Sequence, residues 1–134
     1  MPNHAQQLLT LGQSVWLDFI RRGHLLSGGF DHDVKEAGVV GVTSNPTIFQ
    51  QAIGGSTDYD APLAEGIERG LEGELLFEAL ALEDIRMACD RLRPLFDASS
   101  GLDGRVSLEV SPRLARDSAG TMAAAKRLHA ATAR

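Results

Sequence analysis

Apolar and polar positions alternate along two short stretches of the chain. Residues 14–19 (SVWLDF) set Val15, Leu17 and Phe19 on one parity and Ser14, Trp16 and Asp18 on the other. Residues 105–110 (RVSLEV) repeat the pattern, with Val106, Leu108 and Val110 against Ser107 and Glu109. Side chains two apart share one side of a strand, so each stretch predicts a strand with one packed face. Residues 38–43 (GVVGVT) form a denser apolar run. The β-branched Val39, Val40 and Val42 predict a further strand, covered on both faces.

Elsewhere the apolar spacing lengthens to three and four, the helical period. Residues 4–11 predict a short helix packed by Leu8, Leu9 and Leu11. Residues 21–26 predict a helical turn ended by Gly28-Gly29, and Asp31 and Asp33 open another short helix. Residues 46–53 predict a helix with Asn45 as its N-cap and Pro46 in its first turn. Thr57 and Asp60 resemble a capping box ahead of a helix over 59–69. The longest helix starts at Glu74 and carries a stripe of Leu82, Ile85, Cys89, Leu92 and Phe96. Pro94 is expected to bend its last turn, and Ser99-Ser100-Gly101 breaks it. Asp117 or Ser118 caps a final helix in which Met122, Ala125 and Leu128 face one side. Strands alternating with helices call for a parallel sheet with helical crossovers. A small open three-stranded sheet satisfies that order, and so does part of a (β/α)8 TIM barrel.

Composition narrows the setting. The chain has 134 residues, 43% apolar and 23% charged, which suits one globular domain. A net charge of −5 without a basic block argues against nucleic acid and anionic membranes as partners. The single cysteine, Cys89, cannot make an internal disulfide. No apolar run reaches the ~20 residues of a membrane span, and the N-terminus lacks a secretory pattern. The expected location is the cytoplasm.

Candidate chemistry comes from parity. Asp18, Asn45 and Glu109 each lie at or near the carboxyl end of a predicted strand, on the parity opposite the apolar set. Neighbouring barrel strands would gather them at one rim, where such barrels keep their active sites. Two carboxylates and an amide there can move protons and hold hydroxyl groups. Thr43 and Ser44 complete a polar cluster with Asn45. Each residue also has a plain structural role open to it. Asp18 can cap the turn over 20–22, Asn45 can cap its helix, and Glu109 can pair with Arg105 or Arg113. Cys89 reads as a structural thiol on an apolar stripe. Asp31-His32-Asp33 and the remaining histidines lack metal-ligand spacing, and the glycine pairs read as turns rather than a phosphate loop.

Three stretches carry a family resemblance: LGQSVWLDF over 11–19, GVVGVTSNPTIF over 38–49 and DGRVSLEVSP over 103–112. They resemble, in order, the first three strands of the transaldolases. The resemblance implies residues 1–134 as a single N-terminal portion of a (β/α)8 barrel with about three parallel strands. It implies transfer of a dihydroxyacetone unit from a ketose phosphate to an aldose phosphate, in the pentose phosphate pathway, with no metal or organic cofactor. By the same resemblance Asp18 is the proton acceptor in carbon–carbon cleavage. Asn45, with Thr43 and Ser44, binds substrate hydroxyls, and Glu109 works with a water on the Schiff base. The Schiff-base lysine belongs to a fourth strand. The chain's own lysines, Lys35 and Lys126, fall in helices, so neither takes that role and the chain alone is expected to be inactive. Two rival readings stand beside this one. One is a non-catalytic αβ module that self-associates through exposed strand edges; the other is a different Schiff-base aldolase on the same barrel.

Overall fold

The computed structural model describes residues 2–134. Three short strands, β1 (Trp16–Leu17), β2 (Gly41–Ser44) and β3 (Arg105–Leu108), pair in parallel in the order β1-β2-β3. Leu17 lies beside Val42, and Val42 beside Val106. Hydrogen bonding carries the sheet back one step, because Val40 donates to the Val15 carbonyl and accepts from the Gly104 amide. Helices fill the crossovers, so parallel strands connect as their sequence order requires. They are α1 (His4–Thr10), α2 (Arg22–Leu26), α3 (Gly29–His32), α4 (Pro46–Gly54), α5 (Asp60–Glu68), α6 (Gly73–Ala98) and α7 (Ser118–Thr132). A π-helical turn (Asp33–Ala37) extends α3 into β2.

The helices cover one side of the sheet. Val42, Ile20, Leu25, Phe30 and Phe49 pack there against Ala81, Ile85, Ala88 and Leu92 of α6. Fully burying each of the larger side chains contributes about 1.5–3 kcal/mol. The opposite side is largely open: Asp18, Arg105, Ser107 and Glu109 are exposed. There Trp16 lies over Gly41, where a Cβ would run into the indole ring. Val39 to Val42 and Ser44 are buried and Thr43 is half-buried, so β2 is covered on both sides except at Thr43, near its carboxyl end.

Several local expectations shift. α1 is closed by a capping box between Asn3 and Gln6. It is held by polar bonds, Asn3 Nδ2 and Gln6 Nε2 both donating to the Glu36 carbonyl, while Leu8 and Leu11 stay exposed. The Thr57/Asp60 capping box does not form. Ser56 Oγ accepts from the Asp58 amide instead, starting a 3₁₀ turn (Thr57–Tyr59) that leads into α5. In α7 only Leu128 of the predicted face is buried, and Met122 is exposed. Asp117 is the N-cap there, accepting from the Gly120 amide at 2.9 Å.

A polar knot ties the crossovers together. Arg22 of α2, 5% exposed, donates Nε to Asp84 Oδ1 of α6 at 2.7 Å. Tyr59 Oη donates to Asp84 Oδ2 at 2.7 Å and accepts from the Arg22 amide at 3.0 Å. Arg22 Nη2 also reaches Glu83 at 2.7 Å. Burial works against the Arg22 charge, yet Asp84 and Glu83 hold the guanidinium above its ordinary range. Burial pushes the Asp84 carboxyl up, opposed by the hydrogen bonds from Tyr59 and Arg22. With two donors at 2.7 Å we assign it as an ionised partner.

Burial, reinforced by donation to Asp84, pushes the Tyr59 phenol well above its ordinary value of 10.0. A pKa raised by folding contributes stability that is complete below the unfolded value and lost as pH climbs towards the folded one. Tyr59 is the single tyrosine of the chain. In an alkaline titration its phenolate absorbance is expected to rise only above that ordinary value, together with loss of the helical circular dichroism. An ordinary tyrosine titration in a chain that keeps its helical signal would contradict the buried knot.

Candidate functional site

β2 and β3 end level with each other, and β1 ends two residues lower, opposite Val42. β1 ends at Leu17, β2 at Ser44 and β3 at Leu108, so Asp18, Asn45 and Glu109 are each the first residue beyond a strand. The register Thr43↔Ser107 and Ser44↔Leu108, continued one step, sets Asn45 beside Glu109. Leu17↔Val42, continued likewise, sets Asp18 beside Thr43. Strand alternation places Asp18, Thr43, Asn45, Ser107 and Glu109 on the open side, opposite buried Val42.

Asp18 and Thr43 are joined directly. Thr43 Oγ1 donates to Asp18 Oδ1 at 2.5 Å. Asp18 therefore does not cap the turn that follows it; α2 has Arg21 as its N-cap and no side-chain cap. One carboxylate oxygen is oriented by the threonine, and Oδ2 carries no protein hydrogen bond among the described residues.

Asn45 does cap α4. Its Oδ1 accepts from the Ile48 amide at 2.9 Å, and Pro46 follows in the first helical turn. That bond fixes the amide plane and leaves Nδ2 without a partner among the described residues. Capping and presentation of an amide N–H are thus compatible in one side chain.

Glu109 is exposed and joins no ion pair among the described residues. Arg105 instead donates Nε to the Gly101 carbonyl at 2.9 Å and lies over the Phe96 ring, 5.4 Å from its centroid. The structural alternative for Glu109, pairing with Arg105 or Arg113, is not what forms.

Ser44 faces the other way. It is buried, and its Oγ donates to the Ser107 carbonyl at 2.8 Å, stitching β2 to β3 on the helix-covered side. Of the polar cluster read from sequence, the open side holds Thr43 and Asn45 with Asp18 and Glu109, and Ser44 is placed away from them.

Other polar groups have local partners. His24 Nε2 meets Asp33 Oδ2 at 2.7 Å, and Arg91 meets Asp31 at 2.9 Å, so the Asp31-His32-Asp33 stretch is spent on surface pairs. No group of three or more His, Cys, Asp or Glu suited to a metal occurs among the described residues. Burial, with Asp90 nearby, pushes the Cys89 thiol up, as for an inert structural cysteine. Lys35 and Lys126 are exposed on the π-helical turn and on α7, away from the strand ends. Among the described residues no helix is long and apolar enough to cross a membrane.

The reading from sequence missed the Arg22–Tyr59–Asp84 knot. Its signal was a charge at helical spacing inside an apolar row: Asp84 sits four residues from both Leu80 and Ala88, which are buried.

Comparison with known proteins adds an independent line. The chain is 43% identical over 125 residues to transaldolase 2 of Nostoc punctiforme, an alignment spanning 93% of this chain and 33% of that protein. It is 46% identical over 129 residues to a transaldolase of Arthrobacter sp. (96% and 35%). It is 48% identical over 126 residues to a transaldolase of Thiobacillus denitrificans (94% and 35%). The chain thus spans about a third of the length of the curated relatives it matches. The sequence model of the transaldolase/fructose-6-phosphate aldolase family matches residues 15–134. That match takes in all three strands and every residue placed at the open rim, and the chain belongs to the transaldolase/fructose-6-phosphate aldolase family.

Proposed function

We propose that Asp18, Thr43, Asn45 and Glu109 are one portion of a transaldolase active site. The reaction is transfer of a dihydroxyacetone unit from a ketose phosphate, such as fructose 6-phosphate or sedoheptulose 7-phosphate, to an aldose phosphate in the cytoplasmic pentose phosphate pathway. The observation that carries the reading is that three parallel neighbours each deliver a polar residue immediately past their last paired position, on the open side. The chemistry asks for these types. A lysine amine condenses with the donor ketone to an iminium, which is an electron sink. Cleavage of the adjacent carbon–carbon bond requires a base for the donor hydroxyl proton, and Asp18 supplies a carboxylate held by Thr43. The electron pair of the broken bond rests in the enamine, and the aldehyde fragment leaves. Asn45 Nδ2 is a donor for a substrate hydroxyl. Glu109 carries the proton for dehydration of the carbinolamine and for its later hydrolysis. Ser44 serves this site by holding β2 against β3.

In this reading the lysine comes from a strand outside the 134 residues, since Lys35 and Lys126 sit on helices. The purified chain is therefore expected to leave fructose 6-phosphate intact. Joined in frame to the remaining barrel strands of one of its relatives, it is expected to form a covalent adduct with donor on borohydride reduction, detected by mass spectrometry. A folded, joined barrel that never traps donor would refute the assignment.

A further inference from the structure

The segment that carries Asp18 is tied down by a distant turn. β1 ends at Leu17 after two paired residues, and residues 18–21 belong to no strand or helix. α2 follows, five residues long, and its N-cap Arg21 makes no side-chain capping bond. An N-cap side chain normally accepts from the second or third helical amide. Here that acceptor comes from Asp58, 35 residues along the chain, whose Oδ2 takes the Gly23 amide at 3.1 Å. The same oxygen meets Arg21 Nε at 3.3 Å. Beside it, Tyr59 Oη takes the Arg22 amide at 3.0 Å. Gly23 makes the room: a Cβ there would stand 2.5 Å from Asp58 Oδ2. The turn that supplies both acceptors is fixed in its own right to α4, the helix that Asn45 starts. Ser56 Oγ donates to the Ala52 carbonyl at 3.0 Å and accepts from the Asp58 amide at 3.4 Å.

We propose, resting on the reading of Asp18 as the cleavage base, that Asp58 is a positioning residue for it. Asp58 caps α2 from outside and thereby fixes the far end of the segment 18–21. The near end is fixed by the pairing of Leu17 with Val42, and Ile20, 2% exposed, seats the middle in the core. With both ends held, the Asp18 carboxylate stays where Thr43 Oγ1 donates to it. Without the cap, the first turn of α2 loses the acceptor for its second amide, the short helix frays from that end, and the Asp18 backbone gains freedom. The base is then aligned with the donor hydroxyl for a smaller share of the time. Asp58 does this through Asp18 alone. The loops after β1 and β2 are coupled by the same device, since the turn that caps α2 is anchored on α4.

In the barrel joined to a relative's remaining strands, Asp58→Ala is expected to lower kcat about tenfold, inside the roughly 10²-fold that a 1 Å misplacement costs. Borohydride trapping of donor is expected to stay at the parental level, because only the cleavage base has moved. Asp58→Asn keeps an acceptor of equal capping strength and is expected to recover most of the loss. Gly23→Ala reads the same bond from the other side. Alanine favours a helix over glycine, yet its methyl displaces the Asp58 carboxylate, so kcat is expected to fall while α2 gains helical propensity. The double variant separates positioning from a general loss of structure. In an Asp18→Asn background the further loss on Asp58→Ala is expected to vanish, since the group it acts through is gone. Circular dichroism checks that each variant folds, and Gly23→Ala decides where Asp58→Ala does not. Parental kcat in Asp58→Ala or in a folded Gly23→Ala overturns the positioning role, as does a loss that persists undiminished in the Asp18→Asn background. A joined barrel that neither traps nor turns over donor overturns the catalytic reading itself, and this role with it.

Discussion

Replacing Asp84 with alanine is expected to cost the fold about 3–5 kcal/mol, the range for removing one partner of a buried ion pair. A single domain has ~5–15 kcal/mol in total, so this one change removes a large share of it. Asp84 is fully buried and receives both Arg22 Nε and Tyr59 Oη. Without it a guanidinium that is 5% exposed keeps Glu83, half in solvent, a carbonyl at 3.4 Å and the face of the Tyr59 ring, but no buried counter-charge. The Tyr59 hydroxyl loses its acceptor in the same step. Urea denaturation followed by helical circular dichroism reads the loss as a lower midpoint. A double change, Arg22→Met with Asp84→Leu, is expected to lose much less, because no lone charge stays inside. If Asp84→Ala left the midpoint where it was, the knot would not be what binds α2 to α6.

The knot also marks how far the sequence could be read. Strand positions were legible because Val42, Val106 and Leu108 alternate with Thr43, Ser107 and Glu109, and a period of two admits one assignment of faces. Asn45 followed by Pro46 was legible as a helix start because capping and a missing N–H are local properties. Contacts formed at long range were not. Arg22 and Asp84 are 62 residues apart, and nothing near either names the other. α1 was misread for a related reason. Its leucines look like a packing face, but what docks the helix is the Glu36 carbonyl, a backbone group that carries no side-chain signature. Ser44 and Thr43 are adjacent and equally polar, and only the strand's alternation sends one to the buried side and the other to the open rim.

That alternation underlies the largest expected functional effect. In the barrel completed with a relative's remaining strands, Asp18→Asn is expected to lower turnover about 10²–10⁴-fold, the usual contribution of a positioned acid or base. Asparagine keeps the size and can still accept from Thr43, so the change removes basicity with little else. Schiff-base formation does not need this base in the proposed division of labour, so borohydride trapping of donor is expected to persist in the variant. Loss of turnover with trapping retained separates a role in carbon–carbon cleavage from one in imine formation. Thr43→Val tests the neighbour. Its hydroxyl acts on the reaction only through the 2.5 Å bond to Asp18. Losing a hydrogen bond of about 1 kcal/mol corresponds to roughly a fivefold fall in turnover, and Thr43→Ser, which keeps the donor, is expected to recover it. Turnover by the Asp18→Asn barrel at the parental rate would mean that another group takes the hydroxyl proton, and the rim formed by β1 and β2 would lose its proposed base.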